Sequence, residues 1–547
     1  MAENRQLDNR AIAERLDSFA TLLELADANP YSARAYRRAA ELIRSTEAPV
    51  ADLIRAGRVR ELRGIGRGIE SRLVELVETG HIAELDELER EVSPDLVGLG
   101  LYLGIGARRS VQIAQTLGIH TAAEFREAAA AGRLREVPGI GPANEAKLLE
   151  ALAREGEPRA ARGMLIHRAR RLLAEIAEPL GGTPAGDPRR YCDSSDRLAV
   201  VVAADDPGPV LDAFASLPAI VSVLERTERS AYGVTVEGVP VEVVVAEPGR
   251  FGTELVRATG SPEYVAALEP LPDAPDEEGV YRALGIPVLP PELREAPFRG
   301  EPPALVELAQ IRGDLHCHTT WSDGNASVEE MAHAAIDRGY EYLAICDHTP
   351  AVGAVTGLTA DDLRRQAVEI EQVNHAHAPF RVLRGTECDI LPDGRLDLPD
   401  SILAELDWVQ ASVHGGQRLA KRDQTSRVVE ALRNPHVSCL SHPKGRYINR
   451  RPENELDIDR LIDVALEENV ALEVNGLPDR LDLRDVYVRQ AVEAGVPIVC
   501  STDAHSVKGL SNMELAVATA RRGLASATAV LNTRPLDSVL GHRPLRR

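Results

Sequence analysis

Residues 313–324 read Gly-Asp-Leu-His-Cys-His-Thr-Thr-Trp-Ser-Asp-Gly and hold a dense set of side chains that can do chemistry. Side chains alternate along a strand, so His316 and His318 fall on one face. Asp323, five residues further on in a Ser-Asp-Gly turn, completes a three-point grip suited to a metal ion. The same chemistry returns at the ends of later apolar runs. Tyr342–Cys346 ends in Asp347-His348, and Val382-Leu383 leads through Arg384-Gly385-Thr386 to Glu387. Trp408–Val413 ends at His414, Val437–Ser441 at His442, and Pro497–Thr502 at Asp503-Ala504-His505. Six short apolar runs that each finish in a metal-capable side chain are the pattern of a β/α barrel, whose ligands gather at the carboxyl ends of the strands. Neutral imidazoles with carboxylates suit manganese, zinc or iron and need no thiolate. Clustered ions of that kind lower the pKa of a bound water, so the expected chemistry is metal-assisted hydrolysis.

On these residues, the chain from about 310 to the C-terminus resembles a PHP (polymerase and histidinol phosphatase) domain, a distorted barrel that binds up to three divalent metals. The resemblance implies nine ligand positions, and all are filled: His316, His318, Asp323, His348, Glu387, His414, His442, Asp503 and His505. The implied cofactors are two or three divalent metals, manganese first, with zinc or iron as the alternatives. Ser327 to Arg338 and Asp361 to Asn374 read as the helices between strands. Lys444, Arg446, Arg450 and Arg451 follow His442 closely. They are expected either to hold substrate phosphates or to form a solvated basic loop, with Arg446 the leading catalytic contact.

These residues must be held by a large scaffold. A chain of 547 residues has room for several domains, each with its own core. Hydrophobic content is 44%, no apolar run is long enough to span a bilayer, and the first residues lead into a polar helix without a signal-peptide pattern. A cytoplasmic protein with no membrane partner is expected. Of six cysteines, Cys192, Cys317, Cys346, Cys388, Cys439 and Cys500, five lie in or beside the barrel strands and read as small core residues. Cys317 alternates with His316 and His318 and should face the wall, away from the metals. A formal charge of −22 excludes a general polyanion binder but leaves room for local nucleic-acid contacts. Only four lysines occur, Lys147, Lys421, Lys444 and Lys508, so arginine carries nearly all the positive charge.

Residues 8 to 45 read as two helices. Ile12, Leu16, Phe19, Leu22, Leu23 and Leu25 stripe the first, and Arg34, Tyr36, Arg37, Arg38 and Arg44 lie on the second. Arginines interleaved with a tyrosine suit a nucleic-acid face. A hydrophobic-Gly-hydrophobic-Gly element then occurs three times, with Gly64 and Gly66, Gly104 and Gly106, and Gly139 and Gly141, the last followed by a helix over 143–152. Each resembles a helix-hairpin-helix. The glycines let the backbone approach a phosphate, and the following helix N-terminus supplies free amides and a positive dipole. Three copies favour sequence-independent grip on a DNA backbone.

The order of these parts resembles the bacterial family X DNA polymerases that carry a C-terminal PHP domain. The likeness covers nearly all of the chain and includes Asn29-Pro30-Tyr31, Phe251-Gly252, Thr259-Gly260-Ser261 and Ala283-Leu284-Gly285-Ile286-Pro287. It implies a lyase-like helical domain, DNA-gripping fingers, a nucleotidyltransferase palm and a thumb ahead of the nuclease barrel. Two departures stand out. The palm strand of the family carries Asp-x-Asp, and Arg197 and Ala199 hold those positions here. Glu242 is the candidate third carboxylate, and Asp193 with Asp196 is the alternative register. Two-metal nucleotidyl transfer needs several carboxylates, so polymerase activity is expected to be lost. The family's lyase lysine is also missing: Arg72 stands where it is common, and a guanidinium cannot form a Schiff base.

The expected fold is multidomain α+β: a helical helix-hairpin-helix region, a small palm sheet and a C-terminal distorted β/α barrel. Expected boundaries are 1–85 lyase-like, 86–160 DNA-binding fingers, 161–250 degenerate palm, 251–300 thumb and 310–547 PHP. The expected function is a metal-dependent DNA phosphodiesterase acting on gapped, nicked or 3′-ended duplex in repair, as a 3′-5′ exonuclease or 3′-end processing enzyme. A gap-filling polymerase with PHP proofreading, a DNA-end scaffold with structural metals and a histidinol-phosphatase-type enzyme are the alternatives.

Overall fold

The computed structural model describes residues 7–25, 30–85, 112–113, 116–119, 121–141, 145, 148, 163–298, 300–353, 355–416 and 419–542. The second hairpin, with Gly104 and Gly106, lies outside them, as does most of the helix expected over 143–152. Two compact units form: Met1–Arg162, Leu172–Thr183 and Asp196–Pro248 in one, and Gly163–Arg171, Pro184–Ser195 and Gly249–Arg547 in the other. The stretch 161–250, read from sequence as one palm, is therefore divided between them.

In the first unit, α1 (Asn9–Leu25) begins where the Asp8 carboxylate accepts a hydrogen bond from the Ala11 amide at 2.7 Å, an N-terminal cap. Ile12, Leu16 and Phe19 are buried on it, as are Ala33, Ala40 and Ile43 on α2 (Pro30–Ser45). Each large aliphatic removed from water in this way contributes roughly 1.5–3 kcal/mol. The first hairpin runs from α3 (Val50–Arg55) through a single 3-10 turn and Gly64 to α4 (Arg67–Thr79). Gly64 sits at φ +108°, which only glycine adopts without strain. The third hairpin repeats the plan: α5 (Ala122–Ala130), one 3-10 turn, then Gly139 at φ +83°.

The same unit holds a mixed sheet in which β1 (Leu198–Ala203) pairs in parallel with β4 (Pro240–Ala246). β4 is antiparallel to β3 (Ser230–Thr235), and β3 to β2 (Ile220–Arg226). The register sets Ala199 opposite Glu242, and Glu242 opposite Tyr232.

The second unit is built around seven parallel strands taken in sequence order: β5 (Gly313–Cys317), β6 (Tyr342–Ile345), β7 (Arg381–Asp389), β8 (Trp408–Ser412), β9 (Cys439–Leu440), β10 (Ala471–Asn475) and β11 (Ile498–Ser501). The first and last strands nearly close the barrel. His318 N donates to Ala504 O at 2.8 Å, and Asp503 N donates to His316 O at 2.9 Å. Every strand residue except Arg381 and Arg384 is buried, as expected where a parallel sheet is covered on both faces. Ser327 and Thr359 cap α6 (Val328–Ile336) and α7 (Ala360–Ala376) through reciprocal capping boxes, close to the helix positions read from sequence. β10 was not among the six runs singled out, because it ends in Asn475-Gly476 and not in a ligand-type side chain. Among the described residues, no helix is long and apolar enough to cross a membrane.

Candidate metal centre

Each strand end delivers its side chain to one mouth of the barrel. His316 lies next to last in β5 and His318 follows the strand, while Asp323 returns from the next loop. Gly324 makes that return possible, since a Cβ there would lie 2.7 Å from the His318 carbonyl group. His348 follows β6, Glu387 lies in β7, His414 follows β8, His442 follows β9, and Asp503 and His505 follow β11. Two of these residues hold left-handed backbone, His442 at φ +25° and Asp503 at φ +51°. Strained conformations of this kind persist where the surroundings fix a functional side chain.

All nine side chains converge. His318 Nε2 lies 3.2 Å from His316 Nε2 and 3.1 Å from Asp503 Oδ1. Two donors on one tetrahedral ion, each about 2.1 Å from it, stand about 3.4 Å apart, so these three atoms already have ligand-to-ligand spacing. Glu387 is central. Its Oε2 is 3.0 Å from His348 Nδ1 and 3.5 Å from His316 Nε2, and its Oε1 is 2.8 Å from His442 Nε2 and 3.3 Å from His414 Nε2. Asp323 Oδ2 meets His505 Nε2 at 3.3 Å and His348 Nε2 at 3.7 Å. Three overlapping groups could each hold an ion: His318 with Asp323, His348 and His505; His316 with His318 and Asp503; and His348 with Glu387 and His414.

The donor set fits divalent cations. Nδ1 of His318 and of His442 is buried without a hydrogen-bond partner, a costly state for an imidazole unless a cation or water takes it. Burial disfavours the charged forms of His348 and His414, yet Glu387 next to both pushes them up to about 10 and about 9. His318 moves down to about 4 through burial and the neighbouring His505. Asp503 and Glu387 are held well below the carboxylate range by the imidazoles around them, against their own burial. Carboxylates that stay charged among histidines in a buried ring make a site poised for positive ions.

Sequence reasoning missed Glu473, on β10 and fully buried. Its Oε1 is 2.6 Å from His316 Nδ1, and its Oε2 accepts from Ser441 Oγ at 3.1 Å. That bond fixes the His316 tautomer and leaves Nε2 free to face the cluster. Asp347 accepts from the Thr319 amide at 2.8 Å and from Gln366 Nε2 at 2.6 Å, so this carboxylate braces the loop.

The basic residues after His442 are placed differently from expectation. Arg446 is buried and spends Nη1 on Asp193 at 2.6 Å and Nη2 on the Leu481 carbonyl at 2.5 Å, which makes it a strut between loops. Arg451 donates to the Gly445 carbonyl at 3.0 Å, and Lys444 is buried with Nζ 4.0 Å from Glu453. Arg450 is exposed. The arginine beside the ligands is Arg480, buried with Nε 3.7 Å from Asp503 Oδ2 and its guanidinium 4.5 Å over the Tyr447 ring. Its Nε has no hydrogen-bond partner. A lone arginine in a loop after a missed strand carried no sequence signal. Cys317 faces the wall as expected, its thiol donating to the Ala344 carbonyl at 3.2 Å.

In the first unit, Cβ-sized space is open at Gly64, Gly66 and Gly141. Arg34 and Arg38 are exposed on α2, and Arg37 is half-buried. Tyr36 turns inward, edge-on to Phe19 and donating to the Gly68 carbonyl at 3.3 Å, which ties α2 to the hairpin helix. Arg72 pairs with Glu75 at 3.1 Å and with Glu84. In the sheet, the Arg197 guanidinium lies 5.9 Å over Tyr232, whose hydroxyl donates to Glu47 at 2.7 Å.

A nearly closed parallel barrel with histidines and carboxylates ringed at its carboxyl end defines a PHP-type metal-dependent hydrolase. The family model for the PHP domain matches residues 314–475, that for a helix-hairpin-helix domain residues 7–82, and that for a SAM-like helix-hairpin-helix tandem residues 103–154. A DNA polymerase/3′-5′ exonuclease PolX of Bacillus subtilis is 34% identical across 97% of this chain and 99% of its own length. Probable phosphatases of Acetivibrio thermocellus and Photobacterium profundum are 33% and 31% identical over 35% and 38% of this chain, covering 78% and 82% of their own lengths. The chain belongs to the PolX family with a C-terminal PHP domain.

Proposed function

We propose that this protein is a metal-dependent DNA phosphodiesterase that shortens 3′ ends in cytoplasmic DNA repair and has lost polymerase activity. The observation that carries the reading is the contrast between two sites. Nine side chains of ligand type converge at the barrel mouth, while Ala199 on β1 and Arg197 just ahead of that strand stand where two-metal transfer requires carboxylates. His316, His318, Asp323, His348, Glu387, His414, His442, Asp503 and His505 would hold two or three divalent ions, manganese first with zinc or iron as the alternatives, all of which suit imidazoles mixed with carboxylates. Ions bound there would supply activation of a water nucleophile and neutralisation of phosphate charge. Glu473 holds His316 in the required tautomer. Arg480 is positioned to contact a phosphate oxygen, and Arg446 fixes the loop that follows His442. The hairpin turns at Gly64, Gly66, Gly139 and Gly141, with Gly104 and Gly106 and the arginines Arg34, Arg37 and Arg38, would grip gapped, nicked or 3′-ended duplex through its backbone. We assign 1–85 to the lyase-like region, 86–160 to the fingers, 161–250 to the palm apart from 163–171 and 184–195, which group with the second unit, 251–300 to the thumb and 310–547 to the hydrolase.

The test is end-labelled gapped DNA incubated with manganese, with and without nucleotides, using the wild type and Asp503→Ala. Shortening by the wild type, none by the variant, and no longer product in either are expected. Templated extension by Asp503→Ala would overturn the loss of polymerase activity, and intact DNA ends with the wild type would overturn the nuclease reading.

A further inference from the structure

Among the described residues, four groups of histidines and carboxylates come within metal-binding reach, and one of them lies outside the barrel mouth. Glu329 and His333 stand one turn apart on α6, the i, i+4 spacing by which a helix offers two ligands on one face. His377 caps the C-terminal end of α7. The donor atoms of the three all lie within 4.8 Å of one another. The His333 and His377 rings meet edge to face with centroids 4.5 Å apart, and His377 Nε2 is 4.0 Å from Glu329 Oε1.

Two observations point to a ligand. First, His377 Nε2 is buried and makes no hydrogen bond, although it faces the carboxylate. Second, the neighbouring carboxylates have different duties. Glu330 is committed to the capping box with Ser327, whereas the 63% exposed Glu329 side chain is turned to His377. A small rotation of Glu329 and His333 would bring all three donors to bonding distance of one ion, leaving the remaining positions to water.

We propose that Glu329, His333 and His377 form a binding site for a single divalent transition-metal ion, separate from the barrel cluster. Two imidazoles with one carboxylate select zinc, nickel or copper over magnesium or calcium. Bound there, the ion would clamp α6 to the end of α7, the two helices that flank β6 in sequence and lead to and from the strand preceding His348. An ion that binds only the folded chain stabilises it by mass action.

The test uses full-length protein saturated with manganese and then titrated with zinc, following both metals by elemental analysis and thermal unfolding. The wild type should take up one zinc equivalent while retaining its manganese, and its melting temperature should rise. His333→Asn and His377→Asn should each lose that equivalent and the thermal shift, with manganese content unchanged. Glu329→Gln should bind zinc about tenfold more weakly, or worse. Because His333 is exposed, its variant stays informative even if His377→Asn misfolds by circular dichroism. Equal zinc uptake and equal thermal shift in His333→Asn and wild type would overturn the proposal. So would zinc taken up only in exchange for manganese, or no zinc bound at micromolar concentration.

Discussion

Two buried side chains, Glu473 and Arg480, stand directly against the ligand ring. Glu473 has no exposure and accepts from His316 Nδ1, so its charge holds the ring in one tautomer. Glu473→Gln keeps the shape and removes that charge. Manganese affinity should fall about 10–100-fold, and excess manganese should restore turnover, as metal-binding titrations and rate measurements would register. Unchanged affinity would mean that Glu473 only packs. Arg480 lies beside Asp503, its Nε 3.7 Å from Oδ2 without a hydrogen bond and its Nη2 donating to the Tyr447 hydroxyl at 2.7 Å. If Arg480 contacts substrate phosphate as proposed, Arg480→Lys should retain metal but lower kcat/KM on DNA by about 10²-fold, because a point charge replaces a planar guanidinium. Loss of metal in that variant would instead make Arg480 a support for Asp503. Most of the ring was readable because six apolar runs finish at or beside a metal-capable side chain, and the resemblance to the PHP domain supplied the full set of nine. Glu473 sits within its strand, where Leu472 and Val474 mask it, and Arg446 matched the expected phosphate contact by proximity to His442 alone. What displaced Arg446 is its pairing with Asp193, 253 residues away in the chain and beyond any local pattern.

At the scale of elements, the loop Gly186–Cys192 shows where pattern and packing part. Its two arginines read from sequence as part of a palm. In the structure Arg189 is held by Glu277 at 2.7 Å, and Arg190 by Glu295 at 2.9 Å and by the Thr259 carbonyl at 2.6 Å. Arg522 donates to Glu295 at 2.8 Å as well. Glu295 is partly buried, which alone would raise its pKa, but Arg522, the Cys192 thiol and Arg190 bring it down to about 2 from the usual 4.5. A depressed carboxylate pKa stabilises the fold above about pH 4.5 and loses that contribution as pH falls towards 2. Glu295→Gln should therefore cost ~1–2 kcal/mol near neutrality, discounted for the partial exposure of the carboxylate. The gap in melting temperature between wild type and variant should close as pH is lowered from 4.5 towards 2. A gap that persists undiminished at the acid end would show that packing, not charge, carries the effect. Elements with local signals, such as the capped α6 and α7 and the glycine turns of the hairpins, were readable because capping and left-handed backbone are decided within a few residues. Residues 184–195 fall in the second unit, and the partners that hold Arg189 and Arg190 there, Glu277 and Glu295, lie 88 and 105 residues away, outside any local window of sequence.

For the whole molecule, the net charge of −22 and a polyanionic substrate conflict unless grip and chemistry are assigned to different surfaces. The barrel mouth offers ligands for ions and one inward arginine, while α2 carries Arg34, Arg37 and Arg38 beside a hairpin whose glycines leave the backbone open. Backbone grip through such contacts releases counterions, so affinity should fall steeply with salt, and each phosphate contact removed should reduce the slope by ~0.9. Replacing Arg34, Arg37 and Arg38 with alanine in the full chain should weaken binding to gapped duplex and flatten its salt dependence. Hydrolysis of a small chromogenic phosphodiester, which needs no DNA grip, should proceed at the wild-type rate. Asp503→Ala should show the reverse pattern, with DNA binding and its salt slope intact and hydrolysis of both substrates lost. Fluorescence anisotropy across a salt series, set against the two rate assays, separates these outcomes. If the arginine variant lost both activities in proportion, DNA grip and chemistry would share one surface and the division of labour would fail. If Asp503→Ala flattened the salt dependence, the barrel itself would be the main phosphate-binding surface.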